Sequence, residues 1–266
     1  MRARSALFDV YGDHLGDRGY VAPVAALVRL LEPLGIAAPA VRTAVSRMVG
    51  QGWLEPVSLA EGRGYRATGH AVRRLSDTGD RVYGRADRRW DGRWHLAVLS
   101  LPRDRSARQR LRADLGFLGY APLTDELWVS PWPREELADV VRESGAELTV
   151  ASADRFEPPD APRRAWDLDA LASAYDAWLA TAADTTAAQL AAHEDPDEAA
   201  FSARFLLVHE WRKFLFDDPG LPDELLPEDW AGRRAADYFT GEAARLKPGS
   251  DRFLQRCLDG GADSGP

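Results

Sequence analysis

Residues 38–56 read APAVRTAVSRMVGQGWLEP, and this stretch decides how the first part of the chain folds. Its apolar residues recur at i, i+3, i+4, i+7 and i+8, the spacing of one face of an α-helix. These residues are Val41, Ala44, Val45, Met48 and Val49. The opposite face carries Arg42, Thr43, Ser46, Arg47 and Gly50. Pro39 suits the first turn of this helix and Gly52 suits the position after its end.

The polar face of this helix carries two guanidinium groups and two hydroxyls, and no carboxylate. Such groups donate hydrogen bonds to phosphates and to base edges. The pattern predicts a DNA-reading helix in which Arg42, Thr43, Ser46 and Arg47 face the duplex. An ordinary amphipathic surface helix has the same pattern, so both interpretations stay open on this segment alone.

The neighbouring segments favour the DNA-reading interpretation. Helices are predicted over Ala3–Leu15 and Val24–Leu34, and Gly35 makes a tight connection into the Val41 helix. After Gly52 the sequence predicts a strand to Leu59, a turn over residues 61–64, a return strand over residues 65–67 and a closing helix from His70 to Tyr83. Helix, turn, helix and hairpin predict a winged helix-turn-helix over residues 1–85, with Arg63 and Arg66 on the wing.

The remaining chain is predicted to form two further domains, which makes the fold α+β and multidomain. After a polar linker over residues 86–92, two helices interleave with short strands, and this order predicts a ferredoxin-like middle domain over residues 91–157. The Pro-rich stretch 158–162 breaks the chain. Residues 165–258 are rich in Ala, Leu and Trp at helical spacing and predict a helical C-terminal domain. Its helices are expected over residues 166–193, as one helix or two, and over 198–216, 230–246 and 252–258.

Charge and composition narrow the class of protein. The net charge is −8, but residues 1–90 hold 14 Lys and Arg against 9 Asp and Glu, and residues 91–266 hold 20 against 33. A basic N-terminal part and an acidic remainder are consistent with a DNA-binding domain attached to a larger part that binds something else. Accidental charge asymmetry is an alternative. With Cys257 as the single cysteine and with no apolar run of membrane-spanning length, the sequence predicts a cytoplasmic protein.

No catalytic or metal-binding motif is recognisable in the sequence. None of the five histidines pairs with another at metal-ligand spacing, and Lys213 stands where a zinc-protease motif beginning at His209 needs its second histidine. We therefore predict a non-enzyme without metal or cofactor. The alternatives are a metal-dependent nuclease, an acyl-CoA-acting enzyme, or an adaptor that binds protein through the winged helix.

Arg204 is unusual because it falls in the middle of the apolar stripe of its helix. Leu207, Val208, Trp211 and Leu215 form that stripe. An inward guanidinium must be paired, because an isolated buried charge is too costly. Its partner is either a protein carboxylate, for example in the 166–193 segment, or an anionic ligand.

The chain resembles the PaaX family of bacterial transcriptional repressors. The matching stretches are SALFDVYGDHL (5–15), LVRLLEPLGIAAPAVRTAVSRMVGQGWLEP (27–56), GRGYRAT (62–68), WDGRWHL (90–96), LGYAPLTDELWVSP (118–131) and FLLVHEWRKFLFDDPGLPDELLPEDW (205–230). The resemblance implies a winged helix-turn-helix, a middle domain similar in fold to a small CRISPR-associated nuclease, and a helical C-terminal domain.

The same resemblance implies a homodimeric repressor of a catabolic operon. Such a repressor binds double-stranded operator DNA and is released by an aromatic acyl-CoA such as phenylacetyl-CoA. It also implies that Arg42, Thr43, Ser46 and Arg47 face the groove. The residues expected to bind the effector are Arg204, Trp211, Arg212 and Lys213, because an apolar pocket with convergent cations suits an acyl group that carries an anionic end.

Overall fold

The computed structural model of the chain describes residues 1–60, 62–82 and 89–260. The chain divides into two compact units. The first unit contains Met1–Ala86, Trp178–Arg212 and Ala235–Pro266, and the second contains Asp87–Ala177 and Lys213–Arg234. Within the described ranges, no helix is long and apolar enough to cross a membrane. The predicted linker over residues 86–92 lies partly outside the described residues.

The first unit begins with a small three-stranded sheet surrounded by helices. Its helices are α1 (Ala3–Asp9), α2 (Val24–Leu31), α3 (Ala38–Gly50) and α4 (Gly69–Val82). Its strands are β1 (Val21–Pro23), β2 (Leu54–Leu59) and β3 (Gly62–Ala67), and they form an antiparallel sheet in the order β1-β3-β2. Pro39 occupies the first turn of α3, and Gly52 has a φ of +74° just after its end, as the sequence predicts.

Several element boundaries differ from the sequence prediction. The first helix is α-helical only to Asp9 and continues as one π-helical turn over Val10–His14. Strand β1 was not predicted, because three residues are too few to show a period. The closing helix α4 ends at Val82, and Tyr83, where it was expected to end, lies outside the described residues.

Three C-terminal helices pass through the first unit. They are α7 (Leu168–Ala191), α8 (Pro196–Trp211) and α10 (Ala231–Asp259), and residues 178–191 and 235–259 are the parts of α7 and α10 that belong to this unit. The helix expected over residues 198–216 ends at Trp211. The two helices expected over residues 230–258 are one helix that continues through Pro248. Leu246 and Phe253 are buried on either side of that proline, so their packing offsets the roughly 3 kcal/mol that an interior proline costs.

One hydrophobic core joins the N-terminal elements of the first unit to its C-terminal helices. Leu7, Tyr11 and Met48 are fully buried in the same cluster as Phe201 and Phe205. The helices also approach one another closely, because a Cβ added to Gly249 of α10 would lie 2.7 Å from the Ala200 Cβ of α8. The N-terminal segment and α8 therefore belong to one packed structure.

The second unit is built on a four-stranded antiparallel sheet in the order β5-β6-β4-β7. The strands are β4 (Trp94–Ser100), β5 (Ala121–Pro122), β6 (Leu127–Ser130) and β7 (Glu147–Ala153). Helices α5 (Arg105–Phe117) and α6 (Leu137–Glu143) contribute Leu111, Leu115, Leu137 and Val141 to a core that contains Leu99 and Trp128 of the sheet. Asp104 begins α5 by accepting a hydrogen bond from the Ala107 N–H at 2.7 Å.

The second unit also contains two groups of packed aromatic side chains. Tyr175 of α7 stacks on Phe214 of the short helix α9 (Phe214–Asp217), with ring centroids 4.1 Å apart, and its hydroxyl donates to the Asp218 carboxylate at 2.5 Å. Trp94 packs against Phe156 and Trp166. These contacts attach the segment after β7 to the sheet.

Candidate nucleic-acid interface

Helix α3 separates an apolar face from a polar one. Val41, Ala44, Val45 and Met48 are at most 7% exposed and belong to the core of the first unit, and Val49 is half-buried. Arg42, Thr43, Ser46, Arg47 and Gly50 are exposed. The structure thus brings the four predicted groove-facing residues together on one open surface.

The hydrogen bonds around α3 define what this surface offers to a ligand. The Thr43 hydroxyl donates to the Pro39 carbonyl at 2.8 Å, so its oxygen is oriented as an acceptor toward solvent. Within the described part of the chain, no residue binds the guanidinium of Arg42 or Arg47. The Trp53 N–H donates to the Met48 carbonyl at 2.9 Å and turns the chain from α3 into β2. The surface therefore presents two guanidinium groups that no described residue binds, on a backbone fixed by the core.

The hairpin of β2 and β3 carries both predicted wing arginines. Both arginines are exposed, but β3 already begins at Gly62, so Arg63 lies in the strand opposite Ser58. Its guanidinium lies 5.5 Å from the centre of the Tyr65 ring. Arg66 lies further from the turn, opposite Glu55, and the two side chains form an exposed ion pair at 3.6 Å. Arg66 lies in the return strand, as predicted, but this strand begins at Gly62 and not at residue 65, so Arg63 also lies in the strand and not in the turn.

In the first unit, two carboxylates, one from α1 and one from the π-helical turn that follows it, bind cations of α8 and of its C-terminal cap. Asp13 pairs with the Arg204 guanidinium through both oxygens, one of them at 3.2 Å from Nη2. Asp9 pairs with Arg212 and lies 2.6 Å from His209 Nδ1. The Arg204 Nε also donates to the Ala243 carbonyl of α10 at 3.2 Å. We call these residues the α1–α8 ion pairs.

Burial makes the α1–α8 ion pairs electrostatically strong. Arg204 and the Asp13 side chain are only 5% and 6% exposed. His14 is buried against the rings of Phe201 and Phe205, and burial lowers its pKa to about 4 although Asp13 Oδ2 lies 3.3 Å from its Nε2. Burial also lowers the pKa of Arg212. In a site of low polarity, removing one member of an ion pair leaves the other charge buried and destabilises the fold.

The structure gives three of the predicted effector residues protein partners. Arg204 pairs with Asp13, which lies outside the 166–193 segment that was suggested for the ion-pair alternative. Arg212 pairs with Asp9, and Trp211 is 8% exposed and stacks on Phe239 at 4.7 Å. Lys213 is exposed and belongs to the second unit.

Among the residues that the structure describes, no three His, Cys, Asp or Glu side chains lie close enough together to hold a metal ion. Strand β4 of the second unit ends in Leu99 and Ser100, so no carboxylate stands at the end of that strand. Burial raises the pKa of the Cys257 thiol to about 11, which keeps this side chain protonated.

Three family models match successive segments of the chain. Residues 2–79 match the PaaX-like protein model, residues 87–165 match the PaaX protein central Cas2-like domain, and residues 166–256 match the PaaX-like protein C-terminal domain. The chain belongs to the PaaX family. The resemblance seen in the sequence is thereby confirmed, and it extends over nearly the whole chain.

Two relatives of this PaaX-family protein are informative. It is 29% identical over 262 residues to the transcriptional repressor PaaX of Escherichia coli (strain K12), covering 94% of this chain and 82% of that protein. It is also similar to the structure of the uncharacterized protein Rv0674 from Mycobacterium tuberculosis, with a TM-score of 0.61, 28% identity, and coverage of 93% and 98% of the two chains. The homology to a named repressor supports the assignment as a transcriptional repressor.

In this PaaX-family chain, Asp9 and Asp13 are the residues that sequence reasoning missed. They lie four residues apart, beside the buried residues Leu7, Val10 and Tyr11. This spacing places both carboxylates on one side of the helix next to buried residues, and a buried carboxylate needs a cationic partner. The sequence does not say which cations, because Asp13 and Arg204 are 191 positions apart.

Proposed function

We propose that the protein is a sequence-specific DNA-binding repressor whose α2, α3, β2 and β3 form a winged helix-turn-helix. In this proposal residues 1–85 bind operator DNA, residues 91–157 form a ferredoxin-like middle domain, and residues 165–258 form a C-terminal domain that responds to an effector. The repressor acts as a homodimer in the cytoplasm and controls a catabolic operon. It carries out no chemical step and needs no cofactor.

The exposed face of α3 is the single observation that carries the proposal. Its two guanidinium groups, which bind none of the described residues, and its hydroxyls lie on a helix whose other face is packed in the core. A helix of this kind fits the major groove of B-DNA, where Arg binds guanine and where Ser and Thr accept or donate to either base edge. No acidic side chain on α3 opposes the phosphates.

The wing supplies contacts of a different kind. Arg63 is exposed beside the hairpin turn, where a cation meets the backbone or the minor groove of a duplex that lies on α3. Arg66 is further from the turn and forms an ion pair with Glu55, so it contributes less to DNA binding. We therefore assign Arg42, Thr43, Ser46 and Arg47 to base reading and Arg63 to positioning.

The DNA assignment is tested with Arg42→Ala and Arg47→Ala. Each variant should lose roughly 1–3 kcal/mol of operator binding, because each removes a contact to a base, with little change in thermal stability, because both side chains are exposed. The measurement is fluorescence anisotropy with DNA from upstream of the gene. Arg245→Ala is the matched control, since it removes one exposed cation from α10. Unchanged operator affinity in both α3 variants would refute the assignment.

The effector is proposed to be an aromatic acyl-CoA that acts through Arg204, Trp211 and Arg212, with Lys213 as a further contact. An anionic group that competes with Asp9 for Arg212 and His209 would weaken the α1–α8 ion pairs, and the first helix of the DNA-binding module would lose that support. Arg212 and His209 are the accessible members, with side chains 21% and 18% exposed.

Calorimetry with phenylacetyl-CoA tests this part of the proposal. The expected result is binding by the wild type and weakened binding by Arg212→Gln, which keeps a polar side chain but removes the charge. In parallel, added thioester should release operator DNA from the wild type. Absence of heat with the wild type, together with unchanged DNA binding, would remove this effector class and leave the DNA assignment intact.

A further inference from the structure

The first half of helix α5 gives the second unit a basic surface. Residues 103–112 read RDRSARQRLR and contain five arginines against one aspartate. The opposite face of the helix carries Leu111 and Leu115, which are fully buried in the core of the unit. Four of the arginines are exposed, and we call them the α5 basic surface: Arg103, Arg105, Arg110 and Arg112.

Hydrogen bonds within this segment hold the surface in place. The fifth arginine, Arg108, donates to the carbonyls of residues 102 and 103, both at 3.3 Å, and so fastens the residues before α5 to the helix. Asp104 accepts from the Ser106 hydroxyl at 2.5 Å and from a backbone N–H of the first turn at 2.7 Å. These hydrogen bonds, with a smaller contribution from the charge of Arg110, lower the pKa of the Asp104 carboxyl. The one carboxylate of the segment therefore serves to begin the helix.

Three of the four exposed arginines bind no carboxylate. In the described part of the chain, no ion pair forms with Arg103, Arg105 or Arg110. Arg112 pairs with Asp125 at 2.8 Å, but its side chain remains 49% exposed. Carboxylates are abundant in this part of the chain, since residues 91–266 hold 33 acidic and 20 basic residues. Three other exposed arginines of the same unit pair with carboxylates at 2.5–2.7 Å: Arg142, Arg164 and Arg234.

The chemistry and the length of the surface suit a phosphate backbone. A guanidinium group presents a planar set of donors that binds two phosphate oxygens at once. Because a helix rises 1.5 Å per residue, the part of α5 from Arg105 to Arg112 is about 10 Å long. One strand of duplex DNA carries a phosphate for about every 3.4 Å of its axis, so this length matches about three phosphates.

We propose that the α5 basic surface binds the phosphate backbone of the DNA duplex whose bases α3 reads. All the exposed residues of segment 103–112 are polar, so the surface offers no apolar contact to an acyl group or to the core of a protein interface. A row of phosphates complements its charge and requires no pocket. The inference rests on the proposed function in one respect, since the duplex is the operator DNA.

A triple variant tests the surface in the full chain: Arg103→Gln, Arg105→Gln and Arg110→Gln combined. Fluorescence anisotropy measures binding at several salt concentrations, with DNA from upstream of the gene and with a scrambled duplex of equal length. Each lost phosphate contact should reduce the slope of log affinity against log salt concentration by about 0.9. Three lost contacts make the deficit relative to the wild type about 40-fold larger at 50 mM than at 200 mM salt. Both duplexes should show it, because phosphates carry no sequence information.

The matched control combines Arg142→Gln, Arg164→Gln and Arg234→Gln. It removes the same charge from the same unit, but from arginines that already bind carboxylates. The control should keep the salt slope of the wild type. Both triple variants should keep a urea midpoint close to that of the wild type, because all six side chains are exposed. Arg105→Gln alone should lower the slope by about 0.9.

Equal salt slopes in the α5 variant and the control would show that the surface is merely solvated, and would overturn the inference. An α5 variant that binds DNA like the wild type but no longer binds phenylacetyl-CoA would also overturn it. A failure of the proposed function looks different. Unchanged affinity in Arg42→Ala and Arg47→Ala, with a reduced slope in the α5 variant, would refute base reading by α3 and would support the α5 basic surface as a DNA contact.

Discussion

Replacing Arg204 by methionine should destabilise the protein by about 3–5 kcal/mol. The substitution keeps most of the volume of the side chain but leaves the Asp13 carboxylate, which is 6% exposed, without its bidentate partner. Removing one member of a buried ion pair has that cost because the remaining charge stays in a poorly solvated site. Since unfolding free energies are about 5–15 kcal/mol, the loss is a large fraction of the total.

Urea unfolding followed by far-UV circular dichroism measures this effect. With a denaturant slope of about 2 kcal/mol/M, a loss of about 4 kcal/mol lowers the midpoint by about 2 M. Arg245→Met is the matched control, because Arg245 forms an i, i+3 pair with Glu242 and its side chain is 53% exposed. An exposed pair of this kind contributes less than about 1 kcal/mol, so the control midpoint should change little.

A double-mutant cycle separates the ion pair from simple loss of packing. Asp13→Asn alone leaves the Arg204 charge buried, whereas the double variant buries no charge at this position. The double variant should therefore be about 2–3 kcal/mol more stable than the sum of the two single effects implies. Additive effects within about 0.5 kcal/mol would refute the reasoning. An unchanged midpoint in Arg204→Met, together with loss of thioester binding, would instead assign Arg204 to the ligand.

Two further predictions concern the first unit. Because the folded pKa of His14 is about 4, below its ordinary value of 6.5, its neutral form contributes stability that is present above pH 6.5 and is lost as the pH falls toward 4, by up to about 3 kcal/mol. His14→Gln does not titrate, so its urea midpoint should fall less than that of the wild type between pH 7 and pH 4.5; parallel pH profiles would contradict this. Gly64→Ala should cost about 1–3 kcal/mol, because the new Cβ would collide with the Leu59 side chain and lie 3.1 Å from the Ala22 carbonyl oxygen. The exposed neighbour Arg63→Ala should leave the midpoint unchanged. Equal midpoints for the two variants would show that Leu59 and the backbone of β1 shift at little cost to admit the new Cβ, and would contradict this prediction.

The features that local sequence determined are those that repeat with a short period. The buried and exposed faces of α3 follow from the spacing of Val41, Ala44, Val45 and Met48, and Pro39 and Gly52 mark where that helix begins and ends. The sequence pattern also predicts strands over residues 94–101, 127–130 and 147–152, and β4, β6 and β7 end within one residue of these limits. Such patterns are sufficient because each residue of a helix or strand has its environment set by neighbours two to four positions away.

The tertiary structure alone decided which distant residues meet. An inward guanidinium at Arg204 required a partner, but the choice of Asp13 over other carboxylates depended on how α1 packs on α8, 191 positions along the chain. Packing also keeps α10 helical at Pro248. The pairing of β2 with β3 places Arg66 beside Glu55. The position of β7 at an edge of its sheet depends on the order of the strands, which local periodicity does not specify. Contacts of this kind depend on the free energy of the whole folded chain, and no single segment of the sequence determines that free energy.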